Sequence, residues 1–260
     1  MHLITQVLTK IYHNEKLRQT VIPLFIGKTG IGKTMLVEQF AKSVGANMIE
    51  MIASQLSPFE ISGICIPNQE SKLMQYYDFD RLINLKDGDI LFIDELLQGN
   101  PAVLSAFLTL LEQRKTISGK PLAKIMIVAA ANEEGMPVLT PAIKQRFIWY
   151  DVKFDKNSWL NDYMFPTYKI TSSIGNKLVN LITNETFTGR NFFTPRSICK
   201  AIDMILDDCP TPYATEILPI LEEFIVNDSE STIMIGNTEF LPNERKKWID
   251  IKKLLIQNKK

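Results

Sequence analysis

Hydrophobic positions fall into two patterns along the chain. Five apolar runs bounded by turn residues, Val21 to Ile26, Asn47 to Ile52, Asp89 to Ile93, Lys124 to Ala130 and Phe147 to Val152, read as buried strands. Between them lie stretches with helical spacing. Thr34 to Val44 starts directly after a glycine loop, and Pro101 to Glu112 carries Val103, Leu104, Phe107, Leu108 and Leu111 on one face. Strands alternating with helices predict an α/β core with a mostly parallel five-stranded sheet covered on both faces. From about Lys153 to Asn227 the spacing is helical throughout, as in Ile174, Leu178 and Leu181, then Ile198, Ala201, Ile202 and Ile205. The expected organisation is a core over residues 1–153 and a small helical domain over 154–260. The latter ends in an amphipathic helix, Asn243 to Lys260, with Trp248, Ile251 and Leu255 on one face. That helix is read as a solvated element docked by Trp248, with a nucleic-acid or membrane contact as the alternative.

Composition changes this picture mainly by exclusion. A chain of 260 residues, 45% hydrophobic, is long enough for one αβ core with an appendage. Lys plus Arg equals Asp plus Glu at 29 each, so overall charge gives no indication of a nucleic-acid partner. Cys65, Cys199 and Cys209 are far apart and odd in number, which suits free or buried thiols better than a zinc site or disulfide framework. The only histidines, His2 and His13, precede the first strand, leaving serine and cysteine triads and histidine-bound metals without a centre. The opening MHLITQVLTKIYHNEK has no basic leader, and no apolar stretch reaches membrane-spanning length, so a soluble cytoplasmic protein without membrane partners is expected.

Two local motifs carry chemistry. Gly27-Lys28-Thr29-Gly30-Ile31-Gly32-Lys33-Thr34 fits the phosphate-cradling P-loop, placed after a buried strand and at the opening of a helix. In that setting backbone amides and the positive helix end converge on phosphates, and glycines permit the close wrap. Residues Gly27 to Met35 would form the nucleotide cradle, Lys33 would reach the β and γ phosphates, and Thr34 would ligate Mg2+. A plain glycine-rich turn would need neither Lys33 nor Thr34. The second motif, Ile90-Leu91-Phe92-Ile93-Asp94-Glu95, is an apolar strand delivering two carboxylates at its C-terminal end. Asp94 would hold the metal and Glu95 would polarise the water attacking the γ-phosphate. Taken alone it could equally be an acidic helix N-terminus.

Over residues 20 to 205 the sequence resembles the AAA+ ATPases, and within them the MoxR-like branch with its CbbQ-type, McrB-type and midasin relatives. The carriers are GKTGIGKT at 27–34, LSPFEISG at 56–63, DGDILFIDELLQGNPAVLSAFLTLLEQRKTISG at 87–119, IMIVAAAN at 125–132, TPAIKQRF at 140–147 and FFTPRSI at 192–198. The resemblance implies a P-loop αβα core with a small helical lid, ATP and Mg2+ as ligands, and a homo-hexameric ring. It makes Asn132 the polar sensor of the γ-phosphate, a position where Asn could otherwise cap a turn. It makes Arg146 the finger acting in trans, and Arg196, just after Thr194-Pro195, the second sensor. Arg114 is either an interface arginine or an ordinary surface one.

Residues 60 to 77 read as a hairpin, Ile61 to Ile66 and Leu73 to Tyr77, at the position of an insertion that faces the ring pore in that branch. Tyr76 and Tyr77 could grip a substrate or pack locally. Lys115 to Leu122 reads as a second, shorter hairpin. The sequence departs from many relatives at Glu133-Glu134-Gly135 after the sensor position. The expected function is ATP-driven remodelling of an unidentified protein client or adaptor. Two rival readings are a nucleic-acid motor or loader on the same core and a nucleotide-gated scaffold with little turnover. Preference for ATP over GTP follows from the resemblance alone.

Overall fold

In the computed structural model, which describes residues 2–133, 141–183, 193–207, 209, 211–227, 233–235 and 238–240, the apolar runs become one parallel sheet. Two helices, α1 (His2–His13) and α2 (Glu15–Thr20), precede β1 (Pro23–Gly27). Then follow α3 (Lys33–Ser43), β2 (Met48–Ile52), α4 (Phe59–Ser62), β3 (Ile64–Asn68), β4 (Leu73–Tyr77) and α5 (Asp80–Ile83). The core closes with β5 (Ile90–Asp94), α6 (Pro101–Gln113), β6 (Met126–Asn132), α7 (Pro141–Arg146) and β7 (Ile148–Asp151). The strand order is β2-β5-β6-β1-β7. The chain leaves β1 for the far edge at β2, works back through β5 and β6, and crosses to β7. The reversal therefore falls between β1 and β6, whose register pairs Gly27 with Asn132, and ligands of open αβ sheets bind at such a point beyond the strand C-termini.

Alternation along the strands sorts two apolar layers. Leu24, Ile26, Leu91, Ile93, Ile127 and Ala129 pack with Val103, Phe107 and Leu111 of α6. On the opposite face Phe25, Ile90, Phe92, Met126 and Val128 pack with Leu8 and Ile11 of α1 and with Leu36, Val37 and Phe40 of α3. Each fully buried Val, Leu, Ile, Phe or Met among them contributes about 1.5–3 kcal/mol of transfer free energy. Helix α1 is locked further by Tyr12, whose hydroxyl donates to the Gly88 carbonyl at 2.9 Å.

The first hairpin arm begins later than the sequence pattern implies. Ile61 and Ser62 close the short helix α4, with Ile61 buried against the core, and the strand starts only after Gly63, whose φ of 73° ends the helix. A Cβ at Gly63 would lie 2.5 Å from the Tyr77 carbonyl oxygen and 2.8 Å from Ile117, so the strap at 115–121 packs directly on the hairpin. That strap is itself a narrow antiparallel turn with Lys115 opposite Pro121. Asp78 welds the two together. It accepts from the Ser118 backbone N–H at 3.2 Å and from the Ser118 hydroxyl, and Lys120 lies 3.9 Å away. Burial alone would raise the Asp78 pKa, but the bonds from Ser118 and Thr116 and the charge of Lys120 outweigh it and hold the carboxyl below its ordinary range.

The chain divides into two compact units, Met1–Lys153 and Phe154–Lys260. The second begins with α8 (Lys156–Ser158), a π-helical turn (Trp159–Met164) and α9 (Phe165–Tyr168). Helices α10 (Ser172–Thr183), α11 (Pro195–Leu206) and α12 (Ala214–Asn227) follow, then a short hairpin of β8 (Ile233–Ile235) and β9 (Thr238–Phe240). Its core gathers Met164, Leu178, Ile198, Ile202, Ile217 and Leu221. Cys199 is part of that core, and burial pushes its thiol up to about 12, the behaviour of an inert structural cysteine. No described helix is long and apolar enough to cross a membrane. The terminal helix expected from Asn243 to Lys260 lies outside the described residues.

Candidate active site

The loop from β1 to α3 is shaped by its glycines. At Gly27 a Cβ would meet the Val152 carbonyl oxygen at 2.4 Å, so only glycine permits the end of β1 to run that close to the β7 side. Gly30 and Gly32 take φ of 80° and 98°, which L side chains rarely adopt. Helix α3 then opens at Gly32 with no side-chain cap, the arrangement in which a helix N-terminus serves an anion. Lys28, Thr29 and Met35 are exposed around this loop, while Gly30, Ile31 and Thr34 are half-buried.

Lys33 is drawn inward, 6% exposed. Its Nζ donates to the carbonyls of Gly27 at 2.8 Å and Lys28 at 3.0 Å and to Asn132 Oδ1 at 2.8 Å. Thr34 Oγ1 donates to Asp94 Oδ2 at 2.7 Å, and the other Asp94 oxygen accepts from the Glu95 backbone N–H at 2.7 Å. Five residues singled out from separate stretches of sequence, Lys33, Thr34, Asp94, Glu95 and Asn132, thus meet at the C-terminal ends of β1, β5 and β6. The hydroxyl of Thr34 and the carboxylate of Asp94 form a hard oxygen pair. Such a pair fits Mg2+, which is usually held by one or two protein oxygens together with substrate phosphates. Glu50, on the neighbouring strand β2, has its carboxyl raised by burial and by the charges of Asp94 and Glu38.

Glu95 adopts a left-handed backbone, φ 52° and ψ 33°, and its Oε2 accepts from the Ser54 hydroxyl. Ser54, in the 3-10 turn after β2, was not singled out from the sequence. Its position follows from the β2–β5 register, which sets Ile52 opposite Asp94 and so brings residue 54 alongside Glu95. Gln98 was missed as well. Its Nε2 donates to the Asn132 carbonyl at 3.3 Å, tying the segment after β5 to the end of β6.

The arginines belong to three different helices. Arg146 ends α7 and is ion-paired with Glu112 of α6. Arg196 is exposed in the first turn of α11, behind a capping box of Thr194 and Ser197. Arg114 is neither a free surface residue nor clear of the interior. It sits at the α6 C-cap with φ 51°, its Nε and Nη2 are buried without hydrogen-bond partners, and burial pushes its pKa down to about 10. Tyr76 and Tyr77 are 52% and 51% exposed on the hairpin, so neither is absorbed by local packing. Glu133 is described, whereas Glu134, Gly135 and Thr140 lie outside the described residues.

Residues 23–147 match the AAA domain (dynein-related subfamily). Among curated proteins, the chain is 25% identical over 119 residues to an uncharacterized protein of Methanocaldococcus jannaschii, MJ0079, covering 42% of this chain and 30% of that protein. It is 28% identical over 128 residues to the uncharacterized protein YeaC of Bacillus subtilis, covering 46% of this chain and 38% of YeaC. The matched stretch is therefore well under half the length of these relatives. Among solved structures, the Thermotoga maritima RuvB Holliday junction branch migration motor is similar with a TM-score of 0.54 at 18% identity, over 87% of this chain and 70% of that one. That likeness is one of fold.

Proposed function

We propose that this chain, whose residues 23–147 match the AAA domain (dynein-related subfamily), is a MoxR-like AAA+ ATPase, a ring-forming motor that couples ATP hydrolysis to remodelling of a protein partner. The observation that carries the reading is the convergence of Lys33, Thr34, Asp94, Glu95 and Asn132 beyond the ends of three parallel strands. ATP is the substrate, and bound Mg2+ supplies charge neutralisation of its β and γ phosphates. Lys33 exchanges its carbonyl and Asn132 contacts for phosphate oxygens. Thr34 and Asp94 would hold the metal. Glu95 accepts a proton from the attacking water, and the Asn132 amide orients that water without adding charge. Arg146 is read as the finger offered to a neighbouring subunit, and Arg196 as the second sensor in a helical lid formed by residues 154–260.

The exposed hairpin supports a protein client. Ile64, Ile66, Leu73, Met74, Tyr76 and Tyr77 are all more than 40% exposed, an apolar ribbon suited to polypeptide contact. Two measurements test this reading. Turnover per subunit should fall on dilution, since Arg146 serves only a neighbour's phosphate, and concentration-independent turnover would refute the ring. A pulldown with Glu95→Gln in Mg-ATP should retain a protein client. Stimulation by DNA with steep salt dependence would instead indicate a nucleic-acid motor.

A further inference from the structure

Arg146 is the last residue of a six-residue helix, α7, held down on either side by buried Ile143 and Phe147. Its side chain is only 27% exposed, and Nη2 donates to Glu112 Oε2 of α6, whose side chain is 63% exposed. Helix α6 is the rigid partner. It is capped by Asn100, which accepts from the Val103 N–H at 3.0 Å, begins with Pro101, and buries Val103, Phe107, Leu110 and Leu111. Its N-terminal end is joined to Asp94 and Glu95 by a single 3-10 turn, Leu96–Gln98, and the cap, whereas Glu112 lies about 16 Å of helix rise away. Arg146 therefore stands at the end of α6 remote from its own subunit's catalytic acids. A carboxylate in the last turn of a helix is unfavourable against the helix dipole, so the placement of Glu112 is relieved by a facing cation.

From this arrangement we propose that Glu112 is a positioning residue for Arg146, fixing the guanidinium against α6 so that it is presented in one orientation to the nucleotide of an adjoining subunit. The proposal rests on the reading of Arg146 as a trans-acting finger. A planar guanidinium engages phosphate through directed N–H groups, so orientation matters as much as charge. An arginine side chain already anchored has less rotational freedom to lose when another subunit's phosphate arrives. Glu112 itself touches neither substrate nor metal, and its effect passes entirely through Arg146.

The test is a double-mutant cycle on full-length protein at ring-forming concentration, with ATP turnover as the readout. Glu112→Gln should lower kcat by about fivefold to tenfold with KM for ATP changed less than about twofold, and Glu112→Asp should recover part of the loss. In an Arg146→Ala background, Glu112→Gln should cause no further loss. Urea unfolding of each variant controls for folding, and since the Glu112 carboxylate being altered is 63% exposed, the midpoint should shift little. Full activity of Glu112→Gln, or an equal loss with and without Arg146, overturns the proposal while leaving the finger reading intact. Full activity of Arg146→Ala removes the finger reading, and the proposal falls with it.

Discussion

Lys33 Nζ lies 2.8 Å from Asn132 Oδ1, a contact between residues 99 positions apart that joins the phosphate loop to the end of β6. The amide is near enough to Lys33 to share the γ-phosphate with it, yet it carries no charge for electrostatic attraction. Asn132→Ala should therefore leave nucleotide binding within a few-fold and lower turnover by about tenfold to a hundredfold, whereas Lys33→Ala should abolish binding. Titration with a fluorescent ATP analogue beside a phosphate-release assay separates the two effects.

Ser54 ties the Glu95 carboxylate to the turn after β2. A general base must turn toward the water it deprotonates, so this bond is expected to compete with that orientation. Ser54→Ala should raise basal turnover by about twofold to fivefold, and a tenfold loss would show instead that Ser54 supports the reactive orientation.

Asp78 is 3% exposed at its side chain and joins the exposed hairpin to the strap that leads into β6. Asparagine keeps one acceptor oxygen for Ser118 but sets an NH2 against its second donor and loses the attraction to Lys120, so Asp78→Asn should cost about 1–3 kcal/mol in urea unfolding. The native pKa is depressed below the unfolded one. Its contribution is therefore complete above the ordinary carboxylate value and is lost as pH falls through the depressed native value, below about pH 4. The Asn variant should lack that acid-side loss.

Much of the site was legible because its motifs are local. Residues 27–34 encode a strand end, a glycine turn and a helix start in one continuous stretch, and Asp94 and Glu95 are adjacent at a strand end. Ser54, Gln98 and Glu112 were not legible, since each acquires its role from an element distant in sequence: β5 beside β2, β6 beside the turn after β5, α7 beside α6. Helix α1 is a different case. Ile4, Val7, Leu8 and Ile11 have helical spacing and pack on the α3 face, a signal present in the sequence but overlooked beside the strand pattern. The reverse error occurred at Ile61, where an apolar residue before a hairpin looked like strand but is the buried face of a helical turn.

In the proposed reaction one carboxylate, Glu95, activates water for ATP hydrolysis at a site built by Lys33, Thr34, Asp94 and Asn132. The most direct measurement is phosphate release by Glu95→Gln beside the unaltered protein, with Mg-ATP affinity determined on the same samples. The expected result is retained Mg-ATP binding with turnover lowered at least about a hundredfold. Undiminished phosphate release by Glu95→Gln would contradict it.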